Sequence, residues 1–473
     1  MIKIQIAVLL TLFSGLAASA QSVQQYKTDS VFNLVKKYFN AKQPDSIYAF
    51  AGEKFREALT PDAFRYVCTS QLFPLGQIKN SSLIAFVNNK DARYKLTFDS
   101  MALQLWMNLD DKGKIGLFLF QPYKEEAGNK PKPVATTNLM RNQTDKKVDS
   151  AVRPYIQKTN TVGLSIGILR NGAITTYNYG ETKWGNNQLP GANTLFEIGS
   201  ITKTFTATLL AYYANEGKVK LDDPITRYLP DSVSVNPELK GITLQMLSNH
   251  SSGLPRLPDN LDNHDLDPLN PYKDYEKQHL FTYLKTCKLA GKPGEKYAYS
   301  NLGVGLLGTI LEQVSGKTFE QMVEELICKP LGMNSTAQHL TLALKQRFVA
   351  VYNENGKETP AWDFGILAPC GSLRSTVTDL LIYAKANMTA ANTRLSKAFE
   401  LTHKVTFDKD IKLGLGWHII NIGGAEYYFH NGGTYGCSSF LVFNPEGKLA
   451  VVVLSNSGAS IDAVGGEIVK SLQ

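Results

Sequence analysis

Ser200 and Lys203 stand three residues apart in the stretch Phe196-Glu197-Ile198-Gly199-Ser200-Ile201-Thr202-Lys203-Thr204-Phe205. Ala207, Leu209, Leu210, Tyr213 and Ala214 follow at helical spacing, so the pair opens a helix. Residues three apart share a helix face. An amine held beside a hydroxyl can take its proton and make it a nucleophile. A helix N-terminus also favours negative charge developing on that oxygen. Read alone, the same residues fit an N-cap serine and a solvated lysine. A second candidate is Tyr299-Ser300-Asn301, reached through Pro293-Gly294-Glu295. Its phenol could carry a proton if cations lie near, Lys203 among them, and its amide could hold a substrate carbonyl. A packed tyrosine and a turn asparagine would read identically. The third is His430-Asn431-Gly432-Gly433 at a strand end. There glycines would let a substrate backbone approach and an N–H could face an oxyanion. A glycine-rich hairpin with a surface histidine is the plainer alternative.

These groups need elements to hold them. A strand over Val162 to Leu169 turns at Asn171-Gly172 and returns over Ile174 to Tyr179. Helices are expected from Val148 to Gln157, after Ser200 to near Gly217, and over Thr243 to Ser248, Leu302 to Ser315, Phe319 to Ile327 and Thr378 to Ala386. Strands follow at Lys412 to Ile420, Ala425 to His430, Cys437 to Phe443 and Leu449 to Ser455, then a helix from Ile461 to Leu472. A hairpin before a helical block and strands after it predict a discontinuous antiparallel sheet with helices on its faces, an α+β fold. Arg256 to Gln278 is polar and aperiodic and reads as a long excursion that covers a site.

The order Ser-x-x-Lys, Tyr-x-Asn, His-x-Gly resembles the class C β-lactamase and penicillin-binding serine hydrolase family, with its D,D-peptidase and esterase members. Leu247-Ser248-Asn249-His250-Ser251-Ser252-Gly253-Leu254, Gly371-Ser372-Leu373-Arg374-Ser375-Thr376 and Gly414-Leu415-Gly416-Trp417 add to the likeness, which spans nearly all of 145–473. The resemblance implies a secreted serine hydrolase acting through an acyl-enzyme on an amide or ester: a D-amino-acid peptide, an ester or a β-lactam-like molecule. It makes Ser200 the nucleophile and Lys203 and Tyr299 the proton carriers. Asn301, His430, Gly432 and Gly433 become substrate-binding, with the N–H groups of Ser200 and Gly433 as the oxyanion hole. Many members carry lysine where this chain has His430, which puts efficient β-lactam hydrolysis in doubt. A catalytically silent penicillin-recognising or ligand-binding protein on the same fold is the alternative. His250 reads as a loop cap before Gly253. Trp417 fits a pocket wall or a core equally.

The rest of the chain sets bounds. At 473 residues, 43% hydrophobic and 19% charged, it has ample core for two or three domains. The net charge of +8 is spread without a dense basic block, so no nucleic-acid partner is expected. Lys3, the apolar run Ile4 to Leu12 and Ala18-Ser19-Ala20 read as a signal peptide over 1–20, with Gln21 the mature start. Periplasmic or secreted location follows, with no stable membrane insertion after cleavage. Five widely spaced cysteines offer no C-x-x-C pair, and seven histidines no H-E-x-x-H. Buried free thiols are expected, and neither a metal nor a cofactor. Residues 21–123 read as a small domain, with a stripe of Val31, Leu34, Val35, Tyr38 and Phe39, a helix over Ile47 to Leu59, and four alternating strands. It resembles the cone of nuclear-transport-factor-2-like accessory domains, which implies an accessory or dimerising role. Lys124 to Thr144, with Lys130-Pro131-Lys132-Pro133, reads as a linker, and 145–473 as the hydrolase domain.

Overall fold

The computed structural model describes residues 27–87, 90–98, 101–123, 134–263, 267 and 269–473. The expected signal peptide lies outside them. The chain divides into two compact units, Met1–Glu126 and Ala127–Gln473.

In the first unit, helical residues 27–40 and short helices at Pro44–Tyr48, Glu53–Ala58 and Pro61–Val67 precede an antiparallel meander. Its strands are Asn80–Val87, Asp91–Thr97, Ala102–Leu109 and Ile115–Pro122, paired in chain order. The period-2 pattern sends Tyr94, Leu96, Leu105 and Met107 inward. The first helix meets them with Phe32, Val35 and Phe39, and Phe32 stacks on Tyr94 at 3.8 Å. The expected stripe was out of phase at one position: Leu34 is 40% exposed. The expected helix over Ile47 to Leu59 is broken. Gly52 N–H donates to Ile115 O at 2.9 Å and Ile115 N–H to Phe50 O at 2.8 Å, so pairing with the last strand replaces helical bonds there.

The second unit is built on an eight-stranded antiparallel sheet. Neighbours run Phe407–Asp408, Lys412–Leu413, His418–Ile422, Ala425–Gly433, Ser438–Asn444, Leu449–Ser455, Gly163–Arg170 and Ala173–Gly180. The hairpin at its start thus joins strands from its end, through Leu449–Ser455 beside Gly163–Arg170. These central strands are buried on both faces, because helices cover both. Leu441 and Phe443 face the large helical core, while Phe440 and Val442 face the helices Gln143–Ile156 and Asp462–Leu472. Two glycines permit the close approach. A Cβ on Gly167 would lie 2.3 Å from Val377, and one on Gly465 would lie 2.5 Å from the Phe440 ring.

The expected strand over Lys412 to Ile420 is interrupted at Gly414–Trp417, where Gly416 takes φ +67° against the Ser200 helix. Trp417 is core, packed on Tyr383 and Phe443. The helices Lys277–Thr286 and Arg394–His403 lie where none was expected. Part of the expected linker is built in: Asn138 is buried and donates to Tyr179 Oη and Asp145 O, both at 2.8 Å. All five cysteines are buried and free.

Candidate active site

Phe196–Glu197 pairs with Arg374–Ser375 and delivers the chain into a 3-10 turn, Gly199–Ile201, which runs into the helix Thr202–Asn215. That helix is buried nearly all round, as befits the centre of a helical layer. Gly199 has φ +48°, and a side chain there would strike Gly433 N at 2.7 Å. Only glycine suits that turn. Ser200 is therefore seated against the strand end Gly432-Gly433. Its own N–H sits in the first turn, where backbone donors lack helical acceptors.

Lys203 is 1% exposed. Its ammonium has three donors, and three uncharged acceptors meet it: Cys370 O at 2.6 Å, Ser200 Oγ at 2.9 Å and Asn301 Oδ1 at 2.9 Å. No carboxylate is among its hydrogen-bond partners in the described residues. The contact with Asn301 fixes that amide. Oδ1 accepts from Lys203, which leaves Nδ2, beside the Tyr272 phenol, as the donor a carbonyl could use. Tyr299 lies among cations, with Lys203 Nζ 4.8 Å and Arg256 Cζ 5.1 Å from its ring centroid.

The Tyr-x-Asn turn has a brace that sequence reasoning put elsewhere. His250 Nδ1 accepts from Ser300 N–H at 3.1 Å, and its ring packs on Tyr299 at 4.3 Å. Its carbonyl accepts from Ala298 N–H at 2.8 Å. Ser300 caps the helix Asn301–Ser315 through Gly303 N–H and donates to Pro255 O at 2.7 Å. His250 thus holds the turn carrying Tyr299 and Asn301, rather than only the loop before Gly253. Its φ of +60° suits asparagine better than most side chains. His250→Asn is expected to keep more activity than His250→Phe, which leaves Ser300 N–H buried without an acceptor. We expect the Phe variant to lose about 1–3 kcal/mol of stability, the cost of that buried unpaired N–H, and kcat to fall by about tenfold or more as the turn carrying Tyr299 and Asn301 shifts. Steady-state kinetics of both variants check this.

His430 departs from expectation. It is 1% exposed, with Nδ1 2.6 Å from Asn431 O and Nε2 buried without a partner among the described residues. Burial first, then the nearby His418 and Lys203, hold its pKa well below the usual histidine range. A neutral, enclosed imidazole offers no charge to pair with a carboxylate. The two glycines also divide. A Cβ on Gly432 would lie 2.1 Å from Ile198 O and 2.9 Å from Ser200 N, so this residue serves close packing. Nothing lies within 4 Å of a Cβ on Gly433, which is exposed.

Glu197 ties the two sides together. Buried, it accepts from Thr434 Oγ1 at 2.6 Å and Trp362 N–H at 2.7 Å, with Arg374 at 3.6 Å. Cys370 contributes its carbonyl, not its thiol, whose pKa burial raises. The excursion after Arg256 docks here: Trp362 Nε1–H donates to Leu269 O at 2.8 Å, and Tyr272 stacks on Phe364 at 5.2 Å.

Burial sets a pH dependence as well. His250, His418 and His430 are all held below the ordinary value, and His403 is pushed down to about 4. Unfolded histidines take up protons near pH 6.5. Below that pH the unfolded chain binds more protons than the folded one, so stability falls as pH falls. For His403 the loss runs from pH 6.5 down to about 4, at up to about 1.4 kcal/mol per pH unit. Denaturant unfolding at several pH values is expected to give a shallower acid slope for His403→Gln than for wild type. Equal slopes would contradict this.

A model of the Beta-lactamase family matches residues 148–468. A beta-lactamase of Pseudomonas fluorescens is 31% identical over 277 residues, covering 58% of this chain and 73% of that protein. A D-alanyl-D-alanine-carboxypeptidase/endopeptidase AmpH of Escherichia coli is 36% identical over 180 residues, 38% of this chain and 46% of that one. A solved class C beta-lactamase superposes with TM-score 0.63 at 28% identity, covering 71% of this chain and 98% of its own.

Proposed function

Because the chain belongs to the beta-lactamase family and is a serine hydrolase, we propose that Ser200 is its nucleophile and forms an acyl-enzyme with an amide or ester. The observation that carries this reading is Lys203 Nζ, buried 2.9 Å from Ser200 Oγ and held there by Asn301 and Cys370. In its neutral form that amine accepts the serine proton as Oγ attacks the substrate carbonyl. The resulting oxyanion faces the N–H groups of Ser200 and Gly433, preorganised by the Gly199–Gly433 contact. Asn301 Nδ2 holds the substrate amide. Tyr299, whose ring centroid lies 4.8 Å from Lys203 Nζ, passes the proton to the leaving group. Water then releases the acyl group by the reverse proton path.

The substrate we favour is a small ester, D-amino-acid peptide or β-lactam-like amide whose carboxylate, where it has one, is not held by His430: that imidazole is neutral and enclosed where many relatives by resemblance carry lysine. The Ala18-Ser19-Ala20 site supports an exported, periplasmic or secreted enzyme. Among the described residues no helix is long and apolar enough to cross a membrane.

A panel of p-nitrophenyl esters, D-Ala-D-Ala peptides and nitrocefin, run on wild type and Ser200→Ala, tests the reading. Turnover of at least one of these is expected in wild type alone. Turnover that survives in Ser200→Ala would overturn it. Acylation of Ser200 without turnover of any substrate would favour a silent binding protein.

A further inference from the structure

Arg256 is an exposed cation at a site whose other nearby basic groups are committed. Lys203 is saturated by three acceptors, and His250 and His430 are buried and neutral. The Arg256 guanidinium lies 5.1 Å from the centroid of the Tyr299 ring. Among the described residues it has neither a hydrogen bond nor an ion pair. Burial raises the pKa values of Tyr272, Tyr297 and Cys370, and the nearby Arg256 charge counters part of that rise in each.

The backbone that carries it is fixed. Arg256 O accepts from Asn301 N–H at 3.0 Å and Leu302 N–H at 3.2 Å, and the preceding carbonyl, Pro255 O, accepts from Ser300 Oγ at 2.7 Å. The residue is therefore bolted to the same helix start that presents Tyr299 and Asn301. An arginine lying against an aromatic ring uses its face there, and its in-plane N–H groups stay available. That fork matches a carboxylate in a bidentate geometry.

We propose that Arg256 reads a carboxylate on the substrate, so that the enzyme selects anionic acyl donors through this residue rather than through His430. The assignment rests on the serine hydrolase reading of Ser200. It places the specificity-determining charge on the loop beside Tyr299, in a part of the excursion that the sequence left without a pattern.

The test uses the full chain and two esters that differ by one methyl group: 4-nitrophenyl hydrogen adipate, which is anionic, and its methyl ester, which is neutral. Wild type is expected to prefer the anionic ester about tenfold in kcat/KM. Added salt should shrink the preference, as screening requires. In Arg256→Gln the ratio should fall toward one, and Arg256→Lys should recover part of it. Fluorophosphonate labelling of Ser200 is run alongside on every variant. A labelled wild type with a ratio near one, or a ratio unchanged in Arg256→Gln, overturns the Arg256 assignment alone. A folded wild type that takes no label overturns the hydrolase reading and this assignment together.

Discussion

Lys203→Met is expected to lower kcat/KM by about 10³-fold, within the range of general-base losses, and to slow fluorophosphonate labelling in parallel. Methionine fills the same channel without an amine. Ser200 Oγ then loses the only group within 2.9 Å that can take its proton among the described residues, and Asn301 Oδ1 and Cys370 O lose their shared donor. Lys203→Arg is not expected to rescue. A guanidinium is longer, stays protonated and cannot act as a base. Circular dichroism and a thermal melt establish that both variants fold. A folded Lys203→Met that keeps more than a tenth of wild-type kcat/KM would contradict the proton-transfer role.

Gly432→Ala is the second large effect, and it acts on stability and rate together. The added methyl would sit 2.1 Å from Ile198 O, 2.4 Å from Ser439 Oγ and 2.9 Å from Ser200 N. Ser439 could rotate, but Ile198 O and Ser200 N are backbone at the nucleophile's own turn. The strand and the turn must part, at a cost of about 1–3 kcal/mol. With Ser200 N–H as one of the two oxyanion donors we propose, a displacement near 1 Å is expected to cost about 10²-fold in rate as well. Gly433→Ala is the contrast in stability. Its Cβ meets nothing within 4 Å, so its denaturation midpoint should stay close to wild type. Equal midpoints for Gly432→Ala and Gly433→Ala would show that the two positions are not distinguished by packing.

Much of this architecture was legible because periodicity and local chemistry agree with the tertiary structure. The strand Leu449–Ser455 is an apolar run up to its last residue, Gly163–Arg170 is apolar apart from Ser165 and its terminal arginine, and the Ser200 helix is apolar through Phe205, Ala207, Leu209 and Leu210. Where the reading slipped, a tertiary contact overrode a local preference. Residues 49–52 leave a helix to pair with Ile115, and Gly416 interrupts a strand to fit against Lys203 O. The helix Arg394–His403 went unread although Leu395, Ala398, Phe399 and Thr402 form its buried stripe.

At the site, side-chain types announced the chemistry, but direction did not follow from sequence. His430 alternates along its strand to the enclosed side, which no motif reveals without the register of Ala425–Gly433. His250 precedes Ser300 by 50 residues, and nothing local links them. Its left-handed backbone was the one unusual feature, and it is visible only in the structure. Cys370 acts through a carbonyl, a group every residue has, so its type carried no signal.

Intact-mass analysis after treatment with a fluorophosphonate, followed by peptide mapping, should find a single adduct on the peptide that contains Ser200, and none in folded Ser200→Ala. A folded wild-type protein left unmodified, or an adduct mapped to any other residue, would contradict the assignment of Ser200 as the nucleophile.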